Sequence, residues 1–360
     1  MTNYISMKIF SGNRLQQQER TAQTKKGLLR SFWAILALGG VLSVTASNAQ
    51  NAVVAQTPPN LSNVTLRVAK YKGGWDLQLK LAGLDKFPYK VEFTEFTGGN
   101  LMTQAINANA IDLASGSEIP PIFGIQSNAA LRLIASTRGP TIAQTLLVPK
   151  NSKAKTVADL KGKKIGYVKA TTAHYFLIKM LEEVGLSLKD INAVALSIPD
   201  GLSAFRRGDL DGWATYGYAI AQAKKDGARE LKSARNILSG NFLIYAAPTA
   251  VADPNKKAAI ADFLCRIKKS QDWREASAKN LDNWSTKYAE AIGVEKKVVL
   301  DDAKEGLKQR RSQLFPISQP AIASQQNVAD TFAKTGVITS RVNVAPLWDG
   351  TFTDAINKCK

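Results

Sequence analysis

The strongest constraint in this chain is an alternation that runs twice. From Val64 onward, short β-rich runs alternate with segments of helical spacing: VTLRVAK and then a helix through Leu77 to Leu81, YKVEFTEF and then a helix from about Asn100 to Asn107, IDLASG and then another. This order predicts an α/β fold of parallel strands joined by crossover helices, because a parallel connection has to travel back along the sheet. LRLIAST and TIAQTLLV continue the sheet. Pro149 and the polar stretch Lys150 to Lys155 then read as a crossing, after which the pattern restarts with ADLKG and the strand KKIGYV. A helix from Thr172 to Val184 ended by Gly185, strand VALSI, a helix from Gly201 to Arg207 and a short strand around Trp213 follow. NFLIYAA returns to the first lobe, and from Pro254 the sequence is mostly helical, with Ile260, Phe263, Leu264 and Ile267 at helical spacing. One lobe is thus interrupted by another: residues 60–146 and 246–350 make lobe I and residues 147–245 lobe II. Two crossing segments, near 146–150 and 241–247, would form a hinge suited to closing on a ligand.

The N-terminus adds a destination. Lys25, Lys26 and Arg30 precede an apolar run of 13 residues, Phe32 to Val44, and then the small residues Thr45, Ala46, Ser47, Asn48 and Ala49. Basic, apolar, small is the order of a cleaved secretory signal, and the run is too short for a bilayer, which needs about 20 residues. Residues 1–49 are expected to be removed and the product to be soluble and periplasmic, since no cysteine follows the apolar run where a lipoprotein needs one. The remaining chain, about 310 residues, suits two lobes rather than one core. Six of the 48 basic and one of the 29 acidic residues lie before residue 50, which leaves 42 and 28, a formal charge of +14. These cations are spread over most helices, with no dense basic run and no interleaved aromatics, so nucleic acid is not the expected partner. The field attracts anions in general. The two cysteines, Cys265 and Cys359, have no CxxC spacing; export permits a disulfide, and the spacing leaves two free thiols equally open.

Five loops lie where ligands sit in open α/β sheets, beyond the carboxyl ends of strands and at helix starts whose N–H groups are unpaired. Tyr71, Lys72, Gly73 and Gly74 follow the first strand, and the paired glycines permit close backbone approach, in a ligand contact or in an ordinary turn. Thr97, Gly98, Gly99 and Asn100 aim amides into the same crevice. Ser115 to Pro121 contains Ser117 and Glu118; the carboxylate repels a bare anion, so its expected role is to orient a neutral part of the ligand or a water network. Lys169 to His174 carries Thr171 and Thr172 at a helix start, where hydroxyls cap the helix and can equally serve an oxyanion. His174, the chain's only histidine, rules out a zinc site built on two or three histidines and is a further candidate contact. Asp211 to Tyr218 brings Trp213, expected mostly in the core, and Tyr216, expected to wall off an apolar tail. No nucleophile motif, Walker loop or dinucleotide fingerprint is present, so neither catalysis, a metal nor a cofactor is expected.

At these loops the chain resembles the aliphatic sulfonate-binding proteins, within the nitrate, sulfonate and taurine group of ABC importer subunits. The likeness runs from Leu66 to Trp348. It is carried by KGG at 72–74, VEFTEF followed by Gly-Gly, AIDLASGSEIPPIF at 110–123, VADLKGKKI at 157–165, TTAHYFLIKMLEEVGL at 171–186 and SQPAIASQQNVADTF near the C-terminus. It implies a type II periplasmic-binding-protein fold, a small organic anion in the interlobe cleft, and delivery by a monomer to an ABC permease and its ATPase. Two departures bear on the ligand: the family usually has Asp at Glu118, and a Trp-Asp-Pro turn where this chain has Tyr216, Gly217 and Tyr218. A bulkier or aromatic sulfonate, a sulfate ester, nitrate or another oxyanion therefore remain alternatives. So do an enzyme on the same fold, desulfinase-like or pyrimidine synthase-like, and a sensor of the same ligand.

Overall fold

The computed structural model describes residues 60–359, so the expected signal segment at 1–49 lies outside the described residues. The chain runs β1 (Thr65–Lys70), α1 (Trp75–Leu81), β2 (Lys90–Glu95), α2 (Gly99–Asn107), β3 (Leu113–Ser117), α3 (Pro120–Gln126) and β4 (Arg132–Arg138). It continues with β5 (Gln144–Val148), β6 (Lys164–Tyr167), α4 (Thr172–Glu182), β7 (Asn192–Ala195), α5 (Ile198–Arg206), β8 (Gly212–Tyr216), α6 (Tyr218–Lys225) and β9 (Arg229–Ser233). Then come β10 (Asn241–Ala246), α7 (Pro248–Ala252), α8 (Pro254–Ala276), α9 (Ala278–Ile292), α10 (Lys296–Gln309), β11 (Gln313–Phe315), α11 (Gln319–Lys334) and α12 (Thr353–Lys358).

Two sheets, each flanked by helices, make two α/β lobes. The first has six strands in the order β11-β4-β10-β3-β1-β2, the second five in the order β7-β6-β8-β5-β9. The expected parallel pairings are present: β1 with β2 and β3, and β6 with β7 and β8. The sheets are nevertheless mixed. In each, the strand reached directly by crossing from the other lobe enters antiparallel: β10 between β3 and β4, and β5 between β8 and β9. TIAQTLLV therefore does not continue the first sheet; its strand lies inside the second. All five residues of β5 are buried, and an apolar run buried on both faces carries no mark of which sheet it joins.

Sheet membership changes between Arg138 and Gln144 and again between Ser233 and Asn241. The two crossings touch: the Gly139 amide donates to the Gly240 carbonyl at 2.9 Å, and the Thr141 hydroxyl to the Arg235 carbonyl at 3.0 Å. Residues 246–350, expected in lobe I, divide. Phe263, Leu264 and Ile267 of α8 pack on the first sheet with Leu66 and Val68, whereas Val328, Ala329 and Phe332 of α11 join the second core beside Phe176 and Leu177.

Local chemistry fixes the helices. Asp253 caps α8, accepting from the amides of Asn255 and Lys256, with Pro254 at the first position where no donor is lost. Gly293, at φ 75°, closes α9 in the left-handed conformation. A disulfide between Cys265 and Cys359, whose Cα atoms are 5.5 Å apart, ties α8 to the residue that follows α12. Among the described residues no helix is long and apolar enough to cross a membrane.

Candidate functional site

Two helix N-termini and the loop that precedes a third meet at one pocket between the lobes. It has a volume of about 220 Å³ and is bordered by Gly98 and Asn100 at the start of α2, Val168 and Lys169 before α4, and Ser197 and Ile198 at the start of α5. The first comes from lobe I and the other two from lobe II. No side chain caps α2, so the amides of its first residues lack intrahelical partners and face the pocket's side of the helix end. The positive ends of the α2 and α5 dipoles and the exposed Lys169 bring positive charge to the pocket, against the Asp200 carboxylate in the first turn of α5. Ala170, at φ 60°, is a non-glycine residue in the left-handed region, a strained position of the kind that gathers at functional loops.

The floor between the lobes is made of tyrosines. The Tyr216 hydroxyl lies within hydrogen-bonding reach of the Thr171 side chain and 3.5 Å from where a Cβ on Gly98 would stand. The Tyr71 hydroxyl lies 3.2 Å from the corresponding point on Gly99. Tyr245 donates its hydroxyl to the Ser117 carbonyl. Burial pushes all three phenols well above their ordinary range, so each stays protonated, with the Tyr245 proton already committed to Ser117.

The twelve candidate residues divide on this geometry. Gly98 lines the anion pocket, and Tyr216 and Thr171 stand where Gly98 approaches lobe II. Gly99 opens α2, and its Cα packs on Pro120 and Tyr71. The Thr171 hydroxyl donates to the Val168 carbonyl at 2.7 Å and accepts from the Ala173 amide, while Thr172 is buried directly behind it. Thr171 thus acts first as the cap that holds the α4 amides in place. Gly73 and Gly74 border a second, larger cavity that begins at Tyr71.

Five candidates are placed elsewhere. Lys72 is exposed and borders an open groove beside Asp76 and Lys80 on the outer side of α1. Trp213 is fully buried in the second core against Phe205 and Gly201. His174 is 3% exposed and packs on Tyr167, Phe123 and Phe332; burial, with the charge of Lys169, pulls its pKa down to about 4, so it is a neutral core residue. Ser117 is buried and receives the Ile119 amide. Glu118, 4% exposed, accepts from the Ser239 hydroxyl at 2.6 Å and from the Asn241 side-chain amide at 3.3 Å. Its oxygens are taken by the second crossing segment and not by the cleft, and burial raises its pKa against the pull of those bonds.

Sequence patterning did not single out the cavity of about 360 Å³ beyond Tyr71, which Trp284 and Tyr288 of α9 and Arg310 after α10 line together with Gly217 and Tyr218. An aromatic pair four residues apart on a helix has the same signature as a core stripe, so no signal separates the two. Among the described residues no group of three or more His, Cys, Asp or Glu could hold a metal ion.

Two lobes joined by two adjacent crossings, with helix N-termini from both facing one pocket, define a solute-binding protein of the periplasmic-binding-protein fold. Comparison with known proteins places it more narrowly. The family model described as NMT1/THI5 like matches residues 83–272. A protein of Escherichia coli (strain K12) named for aliphatic sulfonates binding is 30% identical over 324 residues, 88% of this chain and 96% of that relative. Among solved structures, the alkanesulfonate-binding protein SsuA from Xanthomonas axonopodis pv. citri bound to MOPS superposes with a TM-score of 0.71 at 28% identity, over 80% of this chain and 99% of that one. The periplasmic aliphatic sulphonate binding protein SsuA from Escherichia coli gives 0.65 at 27% identity, over 79% and 91%. The chain belongs to the NMT1/THI5-like family and to the family of aliphatic sulfonate-binding proteins, and it is a binding protein rather than an enzyme.

Proposed function

We propose that this chain captures an organic sulfonate between its lobes and hands it to an ABC permease. The observation that carries the reading is the meeting of the N-termini of α2 and α5, one from each lobe, with the loop of Val168 and Lys169 before α4 at one interlobe pocket. A sulfonate has three acceptor oxygens and a fixed negative charge, and it suits a site bordered by amides, dipole ends and Lys169, with the Asp200 carboxylate at α5 turned to the Ser197 hydroxyl at 2.6 Å. The Tyr216 hydroxyl adds a donor from lobe II, and Thr171 keeps the α4 amides aligned. Closure turns on the two touching crossings, which unite the faces of both lobes as the surface a permease reads. Export through residues 1–49 to the periplasm, and ATP hydrolysis by a separate subunit, complete the reading.

Calorimetric titration of the purified protein with sulfonates, nitrate, sulfate esters and carboxylates tests it. Saturable binding of a sulfonate, weakened about fivefold or more in Tyr216→Phe through loss of one hydrogen bond, is the expected result. Absence of heat and of any melting shift with every sulfonate would refute it.

A further inference from the structure

We infer that the ligand's organic part is an uncharged aromatic ring, seated in the cavity between α9, α10 and the start of α6. The inference rests on the reading of the interlobe pocket as the sulfonate site and names the substrate class of that site.

The cavity is joined to the start of α2 by Tyr71, whose hydroxyl lies 3.2 Å from where a Cβ on Gly99 would stand. Tyr71 and Gly217 border it, and Gly217 directly follows Tyr216. Nothing lies within 4 Å of the point a Cβ on Gly217 would occupy, so no side chain crowds this edge of the cavity beside Tyr216. The backbone there, at φ 68° and ψ −147°, is a conformation that glycine alone adopts readily.

The far wall is aromatic and already assembled. Trp284 and Tyr288 stack at 4.9 Å with their planes 10° apart, and the Arg274 guanidinium covers Trp284 at 5.0 Å. Tyr288 in turn lies on Gly73: a Cβ there would meet the tyrosine ring at 2.7 Å, and φ is 66°. The glycine thus admits the ring rather than a ligand oxygen. A wall fixed on both sides costs no rotamer entropy when a ligand arrives, and Tyr218 and Trp75 add aromatic surface around it.

Volume and charge select the occupant. At about 360 Å³ the cavity far exceeds what a one- to three-carbon tail fills. An apolar cavity of roughly 150 Å³ already takes benzene, and aromatic edges favour another ring. The charges exclude an ammonium-bearing tail. Lys70 is paired with Asp76, and Glu275 with Arg274 and Arg311. Arg310 donates to the Ser239 carbonyl at 2.6 Å and has no carboxylate partner among the described residues, so the lining carries three cations, Lys70, Arg274 and Arg310, against two carboxylates, Glu275 and Asp302.

The test is calorimetry with methanesulfonate, 2-aminoethanesulfonate, benzenesulfonate and naphthalene-1-sulfonate, with quenching of the fluorescence of Trp75 and Trp284 as a second readout. Benzenesulfonate should bind about tenfold or more tighter than methanesulfonate, as five added buried carbons allow, and the aminosulfonate should bind most weakly. Ala303→Phe, which fills the cavity from α10, should bring the aryl to methyl ratio toward unity. Tyr288→Leu, which removes the wall, should do the same and serves if the first variant fails to fold. Equal or tighter binding of methanesulfonate by the wild type, or an undiminished ratio in the folded variants, overturns the inference and leaves the sulfonate site standing. Failure of every sulfonate to bind overturns both.

Discussion

Lowering the pH should destabilise this protein through one imidazole. His174, the chain's only histidine, lies 4.8 Å from the Tyr167 ring, 5.4 Å from Phe332 and 6.4 Å from Phe123, and its Nδ1 has no hydrogen-bond partner. Burial, helped by Lys169, holds its pKa at about 4, against about 6.5 in an unfolded chain. The fold therefore keeps the ring neutral, and the unfolded chain takes up the proton first. The stability this ring contributes is complete above about pH 6.5 and is lost as the pH falls toward 4. A gap of about 2.5 units corresponds to about 3.4 kcal/mol at the acid limit and about 2 kcal/mol at pH 5. Glu118 acts in the opposite direction: burial raises its pKa, so the fold binds that proton more tightly and gains as the pH falls. Comparing wild type with His174→Phe isolates the histidine. The packing cost of the slightly larger ring appears at both pH values and cancels, while the Glu118 contribution is common to both proteins. Urea midpoints at pH 7.5 and pH 5 should show the variant losing about 2 kcal/mol less than the wild type. An equal loss in the two proteins would refute the assignment of a depressed, neutral histidine.

Two further perturbations read the scaffold. The disulfide closes a loop across a sequence separation of 94 residues, so Cys265→Ser with Cys359→Ser should cost about 4–5 kcal/mol in denaturant on the loop-entropy account, and chemical reduction should match it. Asp112 has no exposed surface and is bound by Arg67 at 2.7 Å and Lys256 at 2.8 Å, which together hold its carboxyl below the usual range; Asp112→Ala should cost about 3–5 kcal/mol by urea unfolding, because two cations lose their partner.

The double alternation made the α/β class and the two lobes legible, because short β-rich runs separated by segments of helical period are the order that parallel strands with crossover helices require. The start of α4 was legible for the same kind of reason: Thr171 and Thr172 combine a cap with hydroxyl chemistry, and the cap is what the structure contains. What sequence could not convey was pairing at a distance. Glu118 finds Ser239 and Asn241 across 121 and 123 residues, so a carboxylate that reads as a ligand acceptor is a clamp on a crossing segment. The cysteines meet only because α12 packs on α8. Trp213 and His174 stand in loops that look functional, yet their side chains turn into the second core, and strand or helix phase alone does not reveal that the core extends to α11.

The end of α10 shows how ligand and hinge come to share residues. Gln309 accepts from the Thr141 amide in the first crossing and donates to the Arg235 carbonyl in the second, at 2.9 and 3.3 Å. Arg310 holds the Ser239 carbonyl, and the Ser239 hydroxyl holds Glu118. Consecutive residues at the end of α10 thus anchor two hydrogen-bonded sets, one spanning both crossings and one reaching Glu118 after β3, and Arg310 also lines the aromatic cavity. Two separate flexible linkers would let the lobes rotate in many directions. Crossings bonded to each other and clamped by a shared helix end narrow that freedom, which is what a cleft needs if helix N-termini from the two lobes are to meet across it in one register.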